Sequence, residues 1–160
     1  MKFGLKSAVQ SFYSDFQSNN GNEEEDGIDI ARCFSLFFIH AGCLGVIWVG
    51  WSWFAISLAL FLYFSRMFAI TAFLHRFFSH RTFKTSRFMQ FIFAAFASTA
   101  LQRGALWWAS HHRKHHRESD TDNDVHSPHT HSFIWSHNGW IANKKNFATD
   151  YDQIRDFAKF

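Results

Sequence analysis

Eleven histidines in 160 residues, eight of them between His111 and His137, are the feature of this chain most able to do chemistry. The densest run is His111-His112-Arg113-Lys114-His115-His116. Read as a helix, positions 112, 115 and 116 stand in the i, i+3, i+4 relation, which gathers three imidazoles within about 100° of arc on one face. His111 falls on the outer flank of that fan, nearest His115, as a substitute ligand or a supporting group. Four protonated imidazoles interleaved with Arg113 and Lys114 would repel one another, and neutral imidazoles sharing a metal remove that repulsion. A second pair, His75 and His80, lies five residues apart. Five residues of α-helix turn about 140° and rise roughly 7.5 Å, so the pair cannot easily grip one ion from a single α-helical face. It can do so if the helix ends between the two, or it can serve two neighbouring ions.

Imidazole suits zinc, copper, iron and nickel. Structural zinc usually recruits cysteine, neither Cys33 nor Cys43 is near these runs, and His-Glu-x-x-His is absent. More than four histidines beside an apolar segment imply several ions, and iron is the redox-competent choice. Glu118, Asp120, Asp122 and Asp124 follow the second run. They read as a solvated loop, with carboxylate ligation as the alternative. For residues 111–116 the competing reading is a basic surface helix that binds anionic headgroups.

Elements must position these groups, and the chain is sharply segregated. From Cys33 to Leu74 only Arg66 carries a formal charge. Forty-odd residues of helix reach roughly 60 Å, twice a hydrocarbon thickness of about 30 Å. This predicts a transmembrane hairpin, with spans at roughly 31–50 and 52–74 and a turn at Gly50-Trp51-Ser52. Trp48, Trp51 and Trp53 would sit at the far interface. Arg76, Arg81, Lys84 and Arg87 follow the second span, so both ends of the hairpin face the cytoplasm. Arg66 is read as snorkelling or paired, and His40 lies inside the first span, away from the histidine runs. Residues 1–30 read as a polar cytoplasmic tail. Residues 75–160 read as one region, in which an interfacial helix over Phe88–Leu101 precedes a cytoplasmic histidine-rich helical cap. Turns are expected at Ser127-Pro128 and Asn138-Gly139. The fold class is all-α and integral to the membrane.

Composition removes other classes. One Pro and 20% aromatic residues exclude disorder, a net charge of +3 with mixed signs gives no support to nucleic-acid binding, and two cysteines ten apart on a helix cannot bridge.

The runs HRFFSHRTFKTSR, LQRGALWWASHHRKHHRESDTDND, HSP and FIWSHNGW closely resemble the membrane fatty acid desaturases of the stearoyl, acyl-CoA delta-9 type, bacterial branch. The resemblance implies a non-haem di-iron centre that uses O2 and two electrons to remove two hydrogens from a saturated acyl thioester and leave a cis double bond. It maps the metal ligands onto His75, His80, His112, His115 and His116. It also maps the acyl-tunnel lining onto Gln102 and Trp108, with no catalytic residue beyond the metal ligands. Two iron ions, a fatty acyl thioester and membrane lipid are implied. So are electrons from NAD(P)H through a ferredoxin-type or b-type cytochrome carrier, and residence in the bacterial inner membrane. Ala105 and Val125 stand where the family often has Pro. Ser110 and His111 stand where animal members carry Arg-Asp. The family's third histidine box has no counterpart before Phe160, which leads to the expectation of an N-terminal portion, inactive alone. Two alternatives share the residues: a His-rich di-iron membrane hydroxylase or monooxygenase, and a non-catalytic membrane metal-binding protein.

Overall fold

A computed structural model describes residues 27–157; of the tail expected over 1–30, residues 1–26 lie outside the described residues. The described chain is helical. No strand forms within it, and one bridge between Ile28 and Asn143 ties the first described residues to the 140s. In order come α1 (Ile30–Cys43), α2 (Val46–Val49), α3 (Trp53–Phe68), α4 (Arg87–Ser98), α5 (Ala105–Glu118) and α6 (Trp140–Ala142). Beyond Phe68 the third helix continues without a break as a π-helix over Ala69–Ser79.

The expected first span is broken. Backbone bonds from Leu44 to Ala41 and from Gly45 to Gly42 tighten the chain into a turn, so α1 stops at Cys43. The chain also breaks at Gly50–Ser52. There Gly50 takes a left-handed φ of 75°, and the Ser52 hydroxyl accepts the amide of Ala55 to start α3. The second span is longer than expected, a single helix from Trp53 to Ser79 that alone among the described residues is long and apolar enough to cross a membrane. Its α-helical half buries no side chain, and Phe54, Phe61 and Phe64 face outward. Arg66 is paired, its Nε donating to the Thr99 carbonyl at 3.1 Å and its Nη1 to the Leu62 carbonyl at 3.2 Å. Cys33 and Cys43 are both free thiols.

Packing begins where the helix changes type. In the π-helical half Leu74, Phe77 and Phe78 are buried against Ala97 of α4, Ala105 and Ala109 of α5, and Ile154 and Phe157 near the chain's end. Phe73 stacks flat on Phe93 at 4.0 Å between ring centres. Burying side chains of this size stabilises by about 1.5–3 kcal/mol each. Ser86 caps α4, close to the expected start of the interfacial helix. Between α4 and α5 the chain turns sharply through Leu101 and Arg103, both left-handed at φ 57° and 65°, with Gln102 between them. Asn138 and Gly139 do not form a reverse turn. They continue a π-helical turn, Trp135–Gly139, that runs directly into α6, and the indole of Trp135 packs against Gly139 at 3.0 Å from where a Cβ would stand.

Candidate metal centre

Two elements build the site. The π-helix carries His75 at its core and His80 at its C-cap, and α5 carries the second run. π-Helical bonding links residue i to i+5, and here the amide of His80 donates to the carbonyl of His75 at 3.0 Å. Residues five apart therefore stack one above the other, and the expectation from α-helical geometry that this pair diverges is corrected. The two Nε2 atoms lie 3.2 Å apart. On α5 an ordinary i, i+4 relation brings Nε2 of His112 and His116 to 3.0 Å.

The two pairs face each other. Ring centres of His75 and His112 are 4.8 Å apart and those of His80 and His116 are 4.9 Å apart. One ligand atom from each of the four residues lies within 4.8 Å of the other three. Two imidazole nitrogens bound at right angles to one ion, each at about 2.1 Å, would stand about 3.0 Å apart, so the observed spacings fit a metal. Burial, followed by the neighbouring His116, His75, His80 and His115, holds the His112 ring down to about 3. His80 is lowered as well, by burial first and then by His75, His116 and Arg113. Neutral imidazoles can take a metal without first losing a proton. Trp108 walls the cluster, its indole stacked 4.5 Å from His112 and edge-on to His75 at 6.3 Å.

His115 belongs to a different grouping. Its Nδ1 bonds Asp124 Oδ2 at 2.9 Å, and Nδ1 of His126 bonds the other oxygen, Oδ1, at 2.9 Å. Asp124 is 2% exposed, which corrects its reading as part of a solvated loop. Burial alone would raise its carboxyl, but bonds from His115, the Asp120 amide, and the ring Nδ1 and backbone amide of His126 outweigh that and bring it down to about 2. Both Nδ1 atoms are thereby tied down and both Nε2 atoms are left as the ligating face. The rings of His115 and His116 are 5.7 Å apart, so this triad borders the four-imidazole cluster.

His111 stands outside the four-imidazole cluster, on the side of α5 where it lines a cavity with His115, as its place on the flank of the fan implies. It stacks on Trp107 at 4.2 Å, lies 6.0 Å from Trp140, and bonds the Trp107 carbonyl through Nδ1 at 3.1 Å. Burial chiefly, with Arg103 and Lys114 beside it, lowers its ring to about 4 against the opposing Trp107 carbonyl and Asp150. Gln102 is exposed at the bend between α4 and α5. His40 bonds its own helix at the Leu36 carbonyl, 2.7 Å away. Glu118 bonds Arg117 and Asp120 accepts from Ser127, so within the acidic run only Asp124 turns inward onto histidines. His126, Arg113 and Asp156 were not singled out by spacing. The sequence signals for His126 are its place two residues beyond Asp124 and its membership of the HSP run.

Residues 51–156 match a protein-family profile described as fatty acid desaturase. The chain is 37% identical over 121 residues to icosanoyl-CoA 5-desaturase from Limnanthes douglasii, covering 75% of this chain and 34% of that protein. It is 35% identical to delta-9 acyl-lipid desaturase 1 from Arabidopsis thaliana, over 71% of this chain and 37% of that protein. It is 40% identical to an acyl-CoA delta(11) desaturase from Choristoneura rosaceana, over 59% and 28% respectively. The chain thus spans about a third of the length of the curated relatives it matches. No solved structure matches it.

Proposed function

This chain belongs to the fatty acid desaturase family, and from that premise we propose that it carries the first two histidine boxes of an O2-dependent acyl desaturase. The reaction takes a saturated fatty acyl thioester, O2, two electrons and two protons to the cis alkene and two waters, with delta-9 as the position. The Arabidopsis relative is a delta-9 desaturase by name, and the Limnanthes and Choristoneura relatives are named for positions 5 and 11. The observation that supports this most is the convergence of four imidazoles from two separate elements within 4.8 Å. Iron, when bound, supplies the activation of O2 and the removal of hydrogen from unactivated carbon.

The chain's own residues bind, orient and exclude water. His75, His80, His112 and His116 hold one ion between them. His115, with Asp124 fixing its tautomer, offers Nε2 as the fifth box ligand toward a second. The Trp108 indole gives the acyl methylenes an apolar wall directly against two of these rings, and Gln102 polarises the bend the chain passes. The helix Trp53–Ser79 sets the site against the membrane, and a second span and cytoplasmic termini in a bacterial inner membrane complete the arrangement. Reducing equivalents come from NAD(P)H through a ferredoxin-type or b-type cytochrome carrier.

Expression of the chain joined to a family-type C-terminal half, beside the 160 residues alone, which should give no product, in a host lacking its own delta-9 desaturase tests this reading. Fatty acids unsaturated at C9, absent with His112→Ala, are the expected result. Hydroxylated acyl chains would favour a monooxygenase instead. Iron-loaded protein with no acyl product would leave a metal-binding role.

A further inference from the structure

We propose that Arg113, acting with Asp156 and Arg81, is a positioning residue that holds His80 in the four-imidazole cluster; the inference rests on the metal reading above. Arg113 stands on α5 between His112 and His116, so its backbone moves with the second box. Its side chain reaches the first. Nε donates to the Ser79 carbonyl at 2.7 Å and Nη2 to the Phe78 carbonyl at 2.9 Å. These are carbonyls of the last turn of the π-helix, which has run out of backbone donors.

The far side of the same guanidinium is also engaged. Nη1 donates to the Gln153 carbonyl at 2.9 Å and to Asp156 Oδ1 at 2.7 Å, and Nη2 reaches Asp156 Oδ2 at 3.2 Å. Asp156 takes a second cation, Arg81, at 3.3 Å. Arg81 is the residue that ends the helix, in the left-handed conformation at φ 54°, with its guanidinium over the Phe157 ring at 4.3 Å. His80 is therefore enclosed in a circuit. Ser79 on one side is tied to Arg113, Arg81 on the other is tied to Asp156, and Asp156 is tied back to Arg113.

His80 needs such a device. It is exposed, and it sits at the point where the helix stops, so its ring meets only the other imidazoles and its backbone needs an outside hold. A planar fork can serve three carbonyls and a carboxylate at once, whereas a lysine ammonium on the same stem cannot span them. Arg113 therefore sets the distance between the boxes and is not itself a ligand.

Cobalt(II) titration of the purified full chain, followed by its visible absorption, reads the site. Arg113→Gln is expected to lower cobalt affinity about tenfold, the scale of losses when a supporting partner of a ligand is removed. Arg113→Lys should not restore it. In a His80→Ala background the same Arg113→Gln change should cost nothing further. A tenfold loss that persists undiminished without His80, or no loss in the first place, overturns the proposal. Asp156→Asn serves as the milder variant if Arg113→Gln fails to fold. Amide hydrogen exchange on metal-free protein separates this from the metal reading. Exchange at His80, Arg81 and Thr82 should speed up in Arg113→Gln while that of His115–Arg117 stays unchanged. If the wild-type chain binds no cobalt but exchange responds in this way, the metal reading falls and the clamp stands. Unchanged exchange at His80–Thr82 overturns the clamp.

Discussion

The two histidine boxes reach the same end by different local geometry. His112 and His116 are four apart on an α-helix with Nε2 atoms 3.0 Å apart; His75 and His80 are five apart on a π-helix with Nε2 atoms 3.2 Å apart. In each case the spacing equals the hydrogen-bond step of the helix that carries it, and that equality, not the residue count, makes a pair of ligands. The boxes differ in support. The α5 pair has the Trp108 indole stacked on one ring and lies inside a long helix, whereas the π-helical pair ends in an exposed C-cap held from outside.

The hardest way to break the comparison is to remove one imidazole from each box. If the pairs share an ion, His75→Ala and His112→Ala should each abolish stoichiometric metal binding, measured as iron per chain. Retention of full iron by one of the two would show that the boxes bind separately. Next in size is the packing around the π-helix. Phe77→Ala empties a fully buried position between His75 and His80 in sequence, and a loss of about 3–5 kcal/mol is expected, read as a fall in thermal midpoint in detergent.

Acid sharpens the contrast on the α5 side. The folded-state value of about 4 for His111 lies below the ordinary 6.5, so as pH falls the unfolded chain takes up this proton first. Stability from this group is level above about 6.5, declines as pH drops from there to about 4, and is level again below, a change on the order of 3 kcal/mol. The thermal midpoint should therefore fall between pH 7 and pH 4.5, and His111→Gln should flatten that fall. An equally steep decline in the variant would remove His111 as its source.

Asp124→Asn leaves the packing nearly intact but frees the tautomers of His115 and His126. Metal affinity is expected to drop about 10- to 100-fold, with the four-imidazole ion the less affected if two ions are held. The smallest effect belongs to His40→Ala, which should change metal content not at all and stability by less than about 0.5 kcal/mol.

Much of the site was legible in the residues. The i, i+4 relation of His112 and His116 follows from α-helical spacing alone, and the apolar stretch with its break at Gly50–Ser52 follows from composition. Three features were not. The π-helix packs Leu74, Phe77 and Phe78 inward and has its last carbonyls bonded by Arg113, partners distant in sequence that no local propensity announces. Asp124 looks like any other member of an acidic loop. Its burial depends on two histidines, one from α5 and one beyond the loop, closing over it. Arg113 reads as a charge among imidazoles, yet its partners are 34 to 43 residues away, beyond the reach of any periodicity argument.

The uninterrupted helix from Trp53 to Ser79 also acts as a ruler. Twenty-seven residues at no more than 1.5 Å each measure up to about 40 Å, against a hydrocarbon layer of about 30 Å. With Trp53 placed at one interface, the surplus emerges at the other end, where His75 and His80 stand. On the function proposed above, the four imidazoles would then stand at a fixed height just outside the oily layer, and an acyl chain lying partly in the bilayer would have to climb out of it by a set number of carbons to arrive there. Chain-length selectivity would on this view be partly a matter of altitude: shortening the α-helical half by one turn should lower the site by about 5 Å and move the point of attack along the tail.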